Sequence, residues 1–258
     1  MESLAEFIKQ EQVILFLLVF ARLSGLFAFF PFFSHMKIPI FVNIAMTFLM
    51  TIFLFPLASP PTISMTVFSL ALAVVSELMM GLIGGLMLTI VISSLQLAGM
   101  QIAFVMGFTM ASVIDPQSEM SSPIISQFLS SLALMMVLAF NGHHVMLTFI
   151  AESLQVLPLG EFYPSQNIWS YLGRSVAGMF VYGFILSFPV LALSLLLDLV
   201  FGMLMKTMPQ FNLLVVGFPI KIVVSFIVLC AVLMPMMLIF KKEFLEALNY
   251  LKILLIQS

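Results

Sequence analysis

Residues 38–76 read IPIFVNIAMTFLMTIFLFPLASPPTISMTVFSLALAVVS, and not one of them is charged. A membrane-crossing helix needs about 20 apolar residues, because each adds ~1.5 Å against a hydrocarbon core of ~30 Å. One straight helix through this run would be about 60 Å long, so the run is expected to turn back. Pro56, Ser59, Pro60 and Pro61 supply the break, since proline has no N–H for the helical ladder and restricts the residue before it. Residues 78–114, 175–197 and 222–240 are equally bare of charge. Together these stretches predict six apolar helices, roughly 12–33, 39–58, 64–99, 123–150, 172–200 and 212–240, with an amphipathic tail over about 241–256.

The composition of the whole chain agrees. Of its 258 residues, 63% are hydrophobic and 8% charged, against roughly 45–50% and about 25% in a soluble domain. The mean hydropathy is +1.25. A soluble enzyme and a disordered chain are excluded, and the fold class is an all-α integral membrane protein. A net charge of -2 leaves no basic surface for nucleic acid. Cys230 is the one cysteine, which excludes a disulfide framework or a cysteine-rich metal site within the chain. Its apolar surroundings predict a small buried hydrophobe. Glu2, Glu6, Lys9 and Glu11 make a mixed-charge start, unlike the basic start of a cleavable signal peptide.

The six segments make poor simple spans. Pro31, Pro189, Pro219 and Pro235 interrupt them, and helix breakers survive at membrane depth where neighbours or water satisfy the freed backbone groups. Arg22, Glu77, Arg174, Asp198 and Lys221 lie in or beside apolar stretches and would be costly facing lipid, so each is expected to be paired or to face a wet cavity. Six crossings would put both ends on one side, and Lys9, Lys241, Lys242 and Lys252 favour the cytoplasm for them. Two polar connections stand out, 115–122 and 152–170; the second holds Pro158, Gly160, Pro164 and Asn167 and is the best internal boundary.

Gly81, Gly84 and Gly85 follow Glu77 in the pattern EXXXGXXGG, and small residues one turn apart let helix backbones approach closely. That contact lies within the chain or against another subunit. His143 and His144 stand beside Asn141-Gly142, but neighbouring residues project about 100° apart on a helix and cannot grip one metal from one face. Capping or interhelical hydrogen bonding is the expected role. No HEXXH, GXSXG, GXXXXGK[ST] or GXGXXG pattern is present, so neither an enzyme, a metal nor a cofactor is expected. The most unusual stretch is 99–123, GMQIAFVMGFTMASVIDPQSEMSSP. It sets Met100, Phe104, Met106, Phe108 and Met110 beside Gly99 and Gly107 and ends in Asp115-Pro116. Methionine re-packs easily, glycine loosens the backbone, and apolar constrictions can gate by excluding water. Ordinary core packing is the plainer alternative.

These segments, taken in order, resemble the FliR/SctT family, the inner-membrane export-gate proteins of flagellar and virulence type III secretion systems. FARLSGLFAFFPFF followed by KIP resembles the family's start, with Arg22, Pro31 and Pro39. Glu77, Gly81 and Gly85 lead into QIAFVMGFTMASVIDPQS, then SPIISQFLSSLALMMVLAFNGHH and LPLG at 157–160. MKTMPQFNLLVVGFPIK matches the family's C-terminal segment at Pro209, Gln210, Asn212, Gly217, Phe218, Pro219 and Lys221. Two positions depart. Gln117 follows Asp115-Pro116 where the family often has glycine, and Lys206 replaces a usual arginine, keeping the charge but losing the planar fork.

The resemblance implies kinked helical hairpins in a helical hetero-oligomeric assembly, with a FliP-like part over 1–165 and a FliQ-like part over 166–258. It implies FliP-like, FliQ-like and FlhB-like partners, contact with flagellar rod and basal-body components, and unfolded export substrates. It also implies a place in the inner membrane at the basal body, with much of the helical mass on the periplasmic side. The 99–123 region would be the pore plug: Phe104, Met106, Gly107, Phe108 and Met110 in an apolar seal, closed off by Asp115 and Pro116. Arg22, Glu77, Gly81, Gly85, Asp198, Pro209, Gln210, Asn212, Gly217, Pro219 and Lys221 would serve subunit packing or buried ion pairing. Opening would exchange internal contacts for contacts with an exported chain. The rival readings are a virulence-type export gate, a small-solute transporter coupled through Glu77, Asp198 and Lys221, for which the expected paired halves are not seen, and a membrane enzyme using His143 or His144.

Overall fold

Long charge-free apolar runs must satisfy their backbone polar groups without water, and a helix does so within each run; helices are what form. The computed structural model describes residues 10–29, 39–59, 66–108, 123–208 and 212–257. Among the described residues seven α-helices follow one another: α1 (Gln10–Ala28), α2 (Ile40–Leu54), α3 (Val67–Met106), α4 (Ile124–Ala139), α5 (Gly142–Val156), α6 (Gln166–Thr207) and α7 (Phe218–Gln257). A 3₁₀ turn, Phe55–Leu57, ends α2, and a π-helical turn, Leu213–Gly217, leads into α7.

The breaks follow local chemistry. Pro39, with φ -56 and ψ 137, stands outside the first turn of α2, and Pro56 falls in the 3₁₀ turn where Ala58 N–H bonds the Phe55 carbonyl. The expected single helix over 123–150 is two helices. Asn141 sits between them at φ 57 and ψ 30, a left-handed conformation that asparagine tolerates better than most residues. Its carbonyl still accepts the N–H groups of His144 and Val145 and so starts α5.

Elsewhere the helices run further than expected. α3 passes through Gly99 to Met106 because that glycine serves packing, not bending: a Cβ there would lie 2.5 Å from the Cα of Ser126 on α4. α6 and α7 continue through Pro189 and Pro235, as proline allows in apolar helices whose neighbours satisfy the freed carbonyls. Pro219 lies in the first turn of α7, where its missing N–H costs nothing. The residues expected to form a separate amphipathic tail are the end of α7 itself.

At ~1.5 Å per residue, α3, α6 and α7 are each about 60 Å long, roughly twice the hydrocarbon thickness. Among the described residues, four helices are long and apolar enough to cross a membrane, or five if α4 and α5 are one broken span. The described part of α1 is shorter. Among the described residues the count is thus four or five where the sequence reading expects six.

The described residues gather into two compact units. One comprises those within Met1–Ile90, Leu138–Ser175 and Phe244–Ser258, and the other those within Val91–Val137 and Val176–Glu243. In the first, Leu18, Leu23, Met87, Met146 and Phe244 are fully buried; in the second, Leu95, Ile102, Leu129, Val190 and Phe240 are. Cys230 is exposed on α7, which overturns its expected burial. An apolar neighbourhood in sequence does not bury a residue when the helix is apolar around most of its circumference.

Candidate functional site

In the first unit the expected partner for a buried charge is found in another expected one. Arg22 on α1 and Glu77 on α3 are 3% and 0% exposed. Arg22 Nε donates to Glu77 Oε2 and Nη2 to Oε1 at 3.0 Å, a two-pronged pair. The remaining capacity is also used. Arg22 Nη1 donates to the Ser153 carbonyl at 2.7 Å, and Glu77 Oε1 accepts the Gly160 N–H at 2.7 Å. A buried ion pair tolerates burial only when its other lone pairs and protons are satisfied, and here α5 and the 157–160 stretch satisfy them.

Two sequence features make this node possible. Gly160 adopts φ 86, open to glycine at little cost, and this turns its N–H toward Glu77 at the end of the LPLG stretch. Gly25, Gly81 and Gly85 bring α1 and α3 into backbone contact: a Cβ on Gly81 would lie 2.0 Å from the Arg22 carbonyl oxygen, and one on Gly85 2.7 Å from that of Leu26. The EXXXGXXGG pattern is thus a close helix crossing within the chain. Gly84 differs, meeting only side chains at 3.5 Å and beyond.

In the second unit the notable geometry lies at the end of α3. Gly107, at φ 87, closes the helix: its N–H bonds the Phe104 carbonyl and the Phe108 N–H reaches back to that of Ala103, the paired bonds of a Schellman cap. Met106 is 0% exposed, Phe104 70% and Phe108 36%. The two phenylalanines thus present surface while Met106 belongs to the chain's own core. Met110, Asp115 and Pro116 lie outside the described residues, as do Pro209 and Gln210.

Asp198 on α6 and Lys221 on α7 form the second ion pair, with Lys221 Nζ 2.7 and 2.8 Å from the two carboxylate oxygens. Lys221 is buried and Asp198 half exposed. Asn212 caps the π-helical turn, its Oδ1 accepting the Val215 N–H at 3.3 Å. Gly217 closes that turn with the Leu213 side chain where its own would be.

Reading the sequence by residue type missed the polar groups that fasten helices to one another. Ser187 donates to Gln101 Oε1, Ser194 to the Val105 carbonyl at 3.2 Å, and Ser126 to the Gln96 carbonyl at 2.9 Å. Each is a serine in an otherwise apolar helix, but both helices carry further serines, so residue type did not single these out. The interhelical bond expected of the histidines is not made by His143 Nδ1, which is buried with no partner among the described residues. Also among the described residues, no three His, Cys, Asp or Glu side chains converge to hold a metal.

Long apolar helices fastened by ion pairs, one of them fully buried, and by serine hydrogen bonds define an all-helical protein able to cross a membrane several times. The chain belongs to the family of bacterial export proteins, family 1, which it matches over residues 13–247. It is similar to the flagellar biosynthetic protein FliR of Bacillus subtilis (strain 168), 38% identical over 218 residues that cover 83% of this chain and 84% of the relative. The corresponding protein of Escherichia coli (strain K12) is 30% identical over 234 residues, 89% and 88% of the two chains. That of Caulobacter vibrioides is 28% identical over 240 residues, 92% and 96% of the two.

Proposed function

We propose that this chain is a FliR-type subunit of the type III protein export gate, placed in the bacterial inner membrane at the flagellar basal body. With FliP-like and FliQ-like subunits it forms the channel through which unfolded flagellar proteins leave the cell, beside an FlhB-like protein and below the rod. The observation that carries this reading is the family match, which extends from residue 13 to 247 and so reaches each of the seven described helices. Residues 1–165 form the FliP-like part and 166–258 the FliQ-like part; α6 and α7, two long helices joined by a short connection, are the FliQ-like hairpin. Phe104, Phe108 and Met110 contribute to the apolar seal, with Met106 supporting it from the core and Asp115-Pro116 ending it. Apolar side chains suit a passage that must accept many unfolded sequences, because they make no directional demand on the chain that passes.

Deleting the gene tests the reading. Loss of motility together with loss of filament-subunit secretion, both restored by the wild-type gene, is the expected result, along with co-purification of FliP-like and FliQ-like subunits. A deletion strain that swims and secretes normally overturns it.

A further inference from the structure

We propose that Ser194 and Phe218 are positioning residues of the gate, fixing the end of α3 and through it the placement of Phe104 and Phe108. This rests on the reading of those two phenylalanines as part of the channel's seal.

The last carbonyls of a helix have no intrahelical donor. At the end of α3 the Ala103 and Phe104 carbonyls are taken by the N–H groups of Phe108 and Gly107. The next, on Val105, is taken by the Ser194 hydroxyl from α6. Ser94 and Ser76 on α3 bond carbonyls of their own helix; Ser194, 0% exposed, reaches across to a different one. Phe218, the first residue of α7, holds α3 sterically. Its ring lies where any side chain at position 107 would go, with Cε1 and Cδ1 3.1 and 3.2 Å from a Cβ built there.

The two contacts are braced together. Asp198 stands one turn beyond Ser194 and Lys221 one turn beyond Phe218, and their ion pair joins α6 to α7 at that level. One turn closer to the N-terminus of α3, Gln101 accepts from Ser187, so a single edge of α6 holds two successive turns of α3. The exit from α3 is therefore clamped by a hairpin. Phe104 and Phe108 lie on the two sides of the capped position, which makes the placement of both depend on the clamp.

The experiment uses the assembled gate in cells and reads resting ion leak, export and the amount of assembled complex. With assembly at wild-type level, Ser194→Ala is expected to raise the leak about fivefold, the population shift that one lost hydrogen bond produces. Ser194→Thr, which keeps the hydroxyl, is expected to restore tightness, and Phe218→Leu, which keeps an apolar group but not the ring, to leak in the same way. The Phe104→Ala/Phe108→Ala double variant separates the two claims. If it leaks while Ser194→Ala and Phe218→Leu both assemble and stay tight, the clamp is wrong and the seal stands. If the double variant itself stays tight, the seal fails and the clamp with it.

Discussion

Arg22 and Glu77 show what one pair of charges does in an apolar chain. Each is almost entirely buried, so removing one partner strands the other, which typically costs about 3–5 kcal/mol. Glu77→Ala is therefore expected to lower the melting temperature of the purified protein by on the order of 10 °C. Arg22→Leu/Glu77→Leu should recover a large part of that loss, since two apolar residues need no partner. A thermal denaturation series on the three proteins checks this; a double variant worse than the single would contradict it. The sequence marks both residues as charges in need of a partner, but they stand 55 positions apart and no local pattern joins them. The Gly160 N–H that completes the node was not legible at all, because every residue but proline carries the same donor.

At the scale of elements, the gaps between charges locate the helices well and end them badly. Gly99 and Gly107 look alike in the sequence. One is crossed by α3 because Ser126 of α4 packs against it; the other ends α3 because it takes a positive φ. The difference lies in what stands opposite each glycine, which a single sequence does not display. The same applies to Pro189 and Pro235, read as interruptions yet carried within α6 and α7. Asn141, at φ 57 between α4 and α5, yields a sharper expectation. Asn141→Gly should leave stability nearly unchanged, whereas Asn141→Val should cost about 1–2 kcal/mol, because a β-branched side chain fits the left-handed region far worse than asparagine does. Equal melting temperatures for the two variants would mean that the break does not depend on that conformation.

For the molecule as a whole, coverage is uneven. In its most apolar window α3 is 61% buried, while α6 and α7 are 28% and 22% buried. Large side chains such as Phe180, Phe184 and Phe188 on α6 and Val223 and Ile227 on α7 are left exposed. Composition alone gave the class of protein, because 8% charge cannot cover a water-facing surface. It could not tell which faces the chain covers for itself. Co-expression with FliP-like and FliQ-like subunits is expected to turn a polydisperse, low-yield preparation into a monodisperse complex in gel filtration. An equally monodisperse lone chain would show that these faces need only detergent.

The position of Cys230 turns this uneven coverage into something that can be watched directly. It is the protein's one thiol and it points outward from α7, so the unmodified chain already carries a single-site chemical reporter. A thiolate forms and reacts in water far more readily than in oil. Its rate with a polar maleimide, beside that with a lipid-soluble one, thus distinguishes an aqueous, an oily and an occluded surrounding at that spot without engineering a single codon.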